Sequence, residues 1–317
     1  MNKLVSICVA TYNGEKYIRE QLDSLLSQTY QHLEILLQDD CSTDNTFQIL
    51  TEYAEQYDNI KLFQNKKNLG YTKNFQSLIQ KSKGAYIMLC DQDDIWENKK
   101  IEILLNNIND NTLIYHNSLL VNAEGNSMEQ TLSQKLQNNF ISSNTALTFI
   151  FDNCISAHAM LFKKELLTFI KNIPESIYFD QYIAATAASL NGVTYIDQNL
   201  VQYRQHSTNT LKKKKMKKTV MKKIQEKSQK KLIENTLLIQ KLQDFSQIAT
   251  LQQNEKEILN ILLSYYKNFK GSFFQLDMFL FLLKNKNILF QITKKNSNSI
   301  SLKHALGYKL YKVFPIL

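Results

Sequence analysis

The sequence predicts an α/β protein: a mostly parallel central sheet flanked by helices, with a helical region following residue 210. Three observations predict it. Short apolar runs alternate with stretches of helical periodicity over the first hundred residues, the pattern of strands joined by right-handed crossovers. Three predicted strands end in polar or acidic clusters, at residues 11–13, 39–40 and 91–94. Ligands of such sheets bind beyond the carboxyl ends of the strands. Past Thr210 the composition changes to lysine-rich helical periodicity.

Length and composition set the bounds. A chain of 317 residues with 44% hydrophobic content can bury a large core and fits about two domains. No stretch approaches 18 continuous apolar residues, so a membrane-spanning helix is not expected. Residues 1–3 lead straight into a strand, without the apolar run of a signal peptide. Cys8, Cys41, Cys90 and Cys154 form no C-x-x-C pair and read as reduced core residues of a cytoplasmic protein.

The strand at 4–10 runs into Thr11-Tyr12-Asn13-Gly14, a turn with helix-starting chemistry. Ile18, Leu22, Leu25 and Leu26 then recur at helical spacing. A second strand at 33–37 enters the acidic run from Asp39 to Asp44, after which Phe47, Leu50, Tyr53 and Ala54 mark a second helix. Residues 60–63 form a third strand. A loop with Gly70 follows, and Phe75, Leu78 and Ile79 lie on a third helix that Gly84 stops. Residues 86–90 make the fourth strand. Farther on, 112–121 and 153–162 read as strands, 163–167 as a helix start and 184–190 as a helix; 192–196 is a strand and 200–206 the closing segment.

The stretch Cys90-Asp91-Gln92-Asp93-Asp94 sets three carboxylates within four positions at a strand end. Charges this close raise each other's pKa unless a cation sits among them. Oxygen-only ligands suit Mg²⁺ or Mn²⁺, which keeps open positions for substrate phosphates. The competing reading is an acidic loop that caps the next helix. Capping, however, needs one Asp or Ser per helix, whereas three strand ends carry clusters. No two of the seven glycines stand two or five apart, which excludes a G-x-G-x-x-G loop and a P-loop. A metal at Asp91 and Asp93 can do the phosphate-holding work instead, with Asp39 or Asp40 accepting an imide N–H of a pyrimidine.

Three segments carry a resemblance: Val5-Ser-Ile-Cys-Val-Ala-Thr-Tyr-Asn-Gly14, Leu33-Glu-Ile-Leu-Leu-Gln-Asp-Asp-Cys-Ser-Thr-Asp-Asn-Thr46 and Leu89-Cys-Asp-Gln-Asp-Asp-Ile-Trp96. In order and spacing they resemble the signature of family 2 glycosyltransferases, in particular bacterial rhamnosyltransferase-like members that decorate surface polysaccharides. The likeness covers about residues 3–210. It implies a GT-A, Rossmann-like fold, with a donor half at 1–96 and an acceptor half at 97–210. It further implies a nucleotide-diphosphate sugar donor (a UDP- or dTDP-sugar, dTDP-rhamnose among them), a divalent metal, Mn²⁺ or Mg²⁺, and inversion at the anomeric carbon. The acceptor would be a hydroxyl of a cell-surface glycan. By position, Thr11 and Asn13 line the nucleotide and one of Asp39 or Asp40, with Asp40 favoured, contacts the base. Asp91 and Asp93 form the D-x-D that holds ribose and metal, Asp93 coordinating directly. Tyr12, Glu15, Gly70, Lys73 and Gln92 stand beside these positions as further donor-binding candidates. Asp180 falls where the family places its catalytic base; on the sequence alone it is equally the N-cap of the next helix. Leu200-Val-Gln-Tyr-Arg-Gln-His206 resembles the family's closing element, in which Arg204 would hold a phosphate oxygen and His206 the metal or a phosphate. His116 and His158 read as packing or acceptor-wall residues. Trp96 is the sole Trp, so the Gln-x-x-Arg-Trp motif of processive synthases is impossible and one sugar is added at a time.

Residues 211–317 read as a basic helical region. Eleven lysines stand against one glutamate in 212–231, enough to account for the net charge of +9 of the whole chain. Met216, Val220, Met221 and Ile224 form a narrow apolar stripe opposite them. Two readings stay open: helices packed on the catalytic region, or an interfacial set attached to the cytoplasmic face of an anionic membrane. Nucleic acid is not expected, since no aromatic-interleaved platform accompanies the lysines. Two other functions compete: a nucleotidyltransferase, which would need a glycine- and lysine-rich first turn, and a non-catalytic membrane-bound scaffold.

Overall fold

The computed structural model describes residues 3–206 and 220–307, with side chains from 230 onward in the second stretch. The predicted alternation is present: β1 (Val5–Thr11), α1 (Ile18–Leu26), β2 (Leu33–Asp39), α2 (Thr46–Gln56), β3 (Ile60–Gln64), α3 (Tyr71–Ile79) and β4 (Tyr86–Cys90). These four strands pair in the order β3-β2-β1-β4, all parallel. The order reverses beside β1, and at such a switch point a crevice opens at the carboxyl ends of the strands. Thr11 lies in register with Asp39, and β4 ends one residue before Asp91, so the three clusters rim one crevice.

The second half turns mixed. It comprises β5 (Ile95–Trp96), α4 (Lys100–Asn107), β6 (Leu113–Val121), β7 (Ser127–Thr131), α5 (Leu132–Leu136), β8 (Met160–Lys163), α6 (Phe179–Leu190) and β9 (Val193–Arg204). The sheet continues from β4 as β8-β6-β9-β5. β8 runs antiparallel to both neighbours, β6 and β9 are parallel, and β7 pairs back on β6.

Four expectations need correction here. Of the strand expected at 153–162 only the last residues pair. Asn153 hydrogen-bonds the Ile155 carbonyl (2.8 Å) and accepts from its N–H (3.1 Å), and Ala157–Ala159 forms a 3-10 turn; local bonds of this kind compete with a ladder. Lys164–Thr168 is likewise a 3-10 turn rather than the start of an α-helix. The helix expected from Ala184 begins at Phe179, and the closing segments at 192–196 and 200–206 form one strand, β9, which ends at Arg204.

Apolar residues pack on both faces of the sheet. One cluster joins Val5, Ile7, Val9, Leu22, Leu25, Leu50 and Ile101 under α1, α2 and α4. The other joins Phe75, Leu78, Phe149, Phe162 and Ile183 with residues of the C-terminal helices, Leu242, Phe245, Leu259, Leu262, Met278 and Leu282. Those helices are α7 (Val220–Ser246), α8 (Gln253–Lys267), α9 (Leu276–Lys284), α10 (Lys286–Leu289) and α11 (Ser297–Ala305). Buried Glu255 fastens α8 to the sheet side, accepting from Thr145 Oγ1 (2.5 Å) and Ala146 N (2.8 Å). Ser176 to Asp244 (2.5 Å) and Ser189 to Thr250 (2.6 Å) add further ties. The stripe Met216, Val220, Met221, Ile224 and the lysines of 212–227 lie outside the described side chains. Among the described residues no helix is long and apolar enough to cross a membrane.

Candidate active site

The turns after β1 and β2 knit together through short polar side chains. Asn13 adopts φ +49°; its Oδ1 accepts from Thr43 N (2.8 Å) and its N–H donates to Ser42 Oγ (2.9 Å). Gly14 N donates to Thr46 Oγ1 (2.7 Å), and the Glu15 carboxylate accepts from Asn45 N (2.9 Å) just before α2. Thr11 is buried, with Oγ1 3.4 Å from Asp39 Oδ1. Tyr12 is exposed.

The two acidic candidates differ in how they are used. Asp39 is wholly buried and accepts from Ser42 N (2.9 Å), Ser42 Oγ and Gln64 Nε2 (3.2 Å). Asp40 gathers the loop before α3, accepting from Asn65 Nδ2 (2.7 Å), Leu69 N (2.8 Å) and Gly70 N (2.8 Å). Gly70 takes φ +83° with open space where a Cβ would stand. Lys73 points outward, its Nζ 4.0 Å from Glu175.

After β4 the chain sets out its carboxylates at two depths. Asp93 Oδ2 lies 2.7 Å from His206 Nε2, and these side chains keep 19% and 11% exposure. Asp91 is 26% exposed, and its Oδ2 lies 3.7 Å from His158 Nδ1. Asp94 and His158 sit beneath, at 0% and 2%. Asp94 Oδ1 accepts from Arg204 N (3.1 Å), while Oδ2 is buried with no hydrogen-bond partner among the described residues. Asp91, Asp94 and His158 offer ligand atoms within 4.8 Å of one another. Burial and the neighbouring Asp91 raise Asp93; burial, Asp93 and Asp91 push Asp94 well above the usual carboxylate range. A site that strains so many carboxylates toward the neutral form suits a cation, and the donors are the oxygens and imidazoles a hard divalent ion accepts.

Gln92, between the two acids of the D-x-D, reaches back across the sheet. Its amide accepts from Tyr12 N (2.8 Å) and donates to Tyr12 O (3.0 Å). Arg204 is buried below the crevice instead of presenting its fork to it. Its guanidinium donates to the carbonyls of Asp93 (2.9 Å) and Ala123 (3.0 Å), pairs with Glu20, and lies over the Tyr17 ring at 4.7 Å. The arginine expected to grip a phosphate thus holds the Asp93 loop.

Asp180 is not the N-cap of α6. Tyr178 occupies that position, and Asp180 follows in the first turn, its Oδ1 accepting from Gln181 N (2.8 Å). Burial, with a smaller contribution from Asp91, pushes the Asp180 carboxyl up to about 6, although part of its surface still meets solvent.

Sequence reasoning counted Asp94 in the acidic cluster and read His158 as a packing or acceptor-wall residue without giving either a site role, and it did not single out Lys100. Lys100 is fully buried: Nζ donates to the His158 carbonyl (2.7 Å) and lies 3.3 Å from the centre of the Trp96 ring. Burial lowers its pKa well below the lysine range, against the upward pull of Cys90, Asp94 and Asp91. A signal was available, because Lys100 sits in helical phase with Ile101, Leu104 and Ile108 on the buried face of α4. Lys100→Met is expected to destabilise the protein by about 1–3 kcal/mol, since the His158 carbonyl loses its donor. Denaturant unfolding measures this, and an unchanged midpoint would refute it.

Residues 6–169, just over half of the chain, match the family described as Glycosyl transferase family 2. An uncharacterized glycosyltransferase of Haemophilus influenzae is 30% identical over 219 residues, covering 65% of this chain and 67% of that protein. The dTDP-rhamnosyl transferase RfbG of Shigella flexneri is 32% identical over 216 residues, covering 63% and 72%. The match to glycosyltransferase GlyG of Streptococcus pneumoniae is 39% identical over 106 residues but spans only 33% of this chain and 35% of that one. Among solved structures, S. aureus TarS 1-349 in complex with UDP-GlcNAc superposes with a TM-score of 0.58 at 18% identity, over 83% of this chain and 72% of that one. GalNAc-T7 with UDP, GalNAc and Mn²⁺ gives 0.51 at 13% identity, over 64% and 44%. At these identities the structural likeness speaks for the fold, and the family rests on the sequence match: the chain belongs to glycosyltransferase family 2.

Proposed function

We propose that this chain is an inverting, non-processive glycosyltransferase that moves one sugar from a UDP- or dTDP-sugar to a hydroxyl of a cell-surface glycan such as capsule or O-antigen. The observation that carries this reading is a division of labour among carboxylates. Asp91 and Asp93 stand partly exposed just past the end of β4, and burial pushes the carboxyl of Asp180, on a different element, up to about 6. The name of the Shigella relative favours dTDP-rhamnose among the donors.

In this reading the turns around Thr11, Asn13 and Asp40 receive the nucleotide base and ribose. Asp40 retains one acceptor site, on Oδ2, for an imide N–H after accepting three hydrogen bonds from the loop at 65–70. Asp91, Asp93 and His206 would hold Mn²⁺ or Mg²⁺ in the partly exposed layer that a substrate reaches, with Asp91 shared with the deeper cluster it forms with Asp94 and His158. Asp94 and His158 are the support below. When bound, the ion contributes positive charge at the departing diphosphate. Asp180 takes the proton of the acceptor hydroxyl as its oxygen bonds to the anomeric carbon. The bond from that carbon to the diphosphate breaks on the opposite face, so no covalent enzyme intermediate is required. The lysines of 211–231 attach the protein to the inner face of an anionic membrane.

The test is a panel of UDP-, dTDP- and GDP-sugars with Mn²⁺, scored for nucleotide release, followed by NMR of the transferred sugar. One donor class should be hydrolysed, with activity lost in excess chelator and the anomeric configuration inverted on transfer. Release from no donor, or retention of configuration, would defeat the proposal.

A further inference from the structure

We propose that the outer face of α9 docks on an anionic lipid bilayer. This rests on the peripheral-membrane part of the reading above and is independent of the donor chemistry. Seven of the nine residues of α9 are apolar, and its two polar residues, Asp277 and Lys284, share one narrow stripe. A helix with so narrow a polar stripe normally buries most of its surface. Here only Met278 and Leu282 are fully covered, while Leu276 and Leu280, one turn apart, are 57% and 53% exposed. Phe274, just before the helix, and Leu302 on the adjacent α11 are exposed as well. Phe274 pairs with Leu306, and Gln275 N donates to the Ala305 carbonyl (3.0 Å), so these side chains come from elements joined at one end.

The charge around this face selects the partner. From residue 267 to residue 303 the chain carries seven lysines and a single acid, Asp277. Lys267, Lys270, Lys284 and Lys303 are exposed and lie just before α9, at its end, or beside Leu302. An apolar helix face bordered by cations of one sign matches the acyl boundary and head groups of an anionic leaflet. A protein partner would need a comparably one-sided acidic rim, and nucleic acid would gain nothing from exposed leucines.

The full-length chain is sedimented with phosphatidylcholine vesicles that contain or lack phosphatidylglycerol, beside Leu276→Ser/Leu280→Ser. Both leucines are exposed, so the variant should keep its melting temperature and its solution donor hydrolysis. Expected are preferential binding to anionic vesicles, weakening in high salt, and about a tenfold loss of partitioning in the variant. The proposal is overturned if the chain ignores anionic vesicles, or if the variant partitions like the wild type, which would leave attachment to the lysines alone. It is overturned equally if the wild type forms a concentration-dependent dimer that the variant abolishes, since the face would then be a contact between copies. Absent donor hydrolysis with intact vesicle binding would count against the enzymatic reading and not against this one.

Discussion

Asp180→Asn is expected to lower sugar transfer by about 10²–10⁴-fold, the usual weight of a general base, with donor binding retained. The substitution keeps size and one acceptor oxygen, so Gln181 N keeps its partner, while the group that takes the proton is gone. Two further readouts separate a base from a structural residue. Burial raises the Asp180 pKa to about 6, so transfer by the wild type should climb as pH rises through that value, and the variant should lack this limb. The sign for stability runs the other way. A carboxyl with a raised folded-state pKa contributes stability that is present below its unfolded pKa and lost as pH rises through about 6. The Asn variant should therefore melt no lower than the wild type at neutral pH. Near-normal transfer, or donor affinity falling in step with turnover, would place the base elsewhere.

The other large effect is expected at Asp93. Asp93→Asn removes the charge nearest His206 on the exposed layer and should reduce turnover by about 10²-fold or more, the order of several kcal/mol of charge stabilisation. A binding measurement distinguishes this from misfolding. Mn²⁺ should raise the melting temperature of the wild type, by relieving repulsion among Asp91, Asp93 and Asp94, and should do so much less in the variant. Equal thermal responses to Mn²⁺ in the two proteins would remove Asp93 from the ligand set.

The donor half was legible in the sequence for a physical reason. Parallel strands buried on both faces read as continuous apolar runs, and the polar clusters stand where each run stops, so Thr11, Asp39, Asp40 and Asp91 could be placed at one edge from spacing alone. The acceptor half was harder to read. Residues 153–159 are apolar enough for a strand, yet Asn153 turns the chain locally and the His158 carbonyl is taken by Lys100, a contact 58 residues away. The fate of Arg204 depended on the carbonyls of Asp93 and Ala123 and on Glu20, none of which its neighbours reveal. Layering within Asp91-Gln92-Asp93-Asp94 was equally hidden, because it depends on distant partners such as Arg204 N, at the end of β9, for Asp94 and His206 for Asp93.

The bridge from Gln92 to Tyr12 has a consequence for how this sequence can drift. A Cβ at Gly14 would collide with the Gln92 amide. A mutation that gives position 14 a side chain must displace Gln92 and so release Tyr12, whereas shortening Gln92 first would open room at position 14. Positions 14 and 92 are thus coupled through side-chain volume, while position 12 takes part only through its backbone N–H and carbonyl, which most residues supply. Descendants of this chain should therefore lose the glycine at position 14 only after, or together with, a change at position 92.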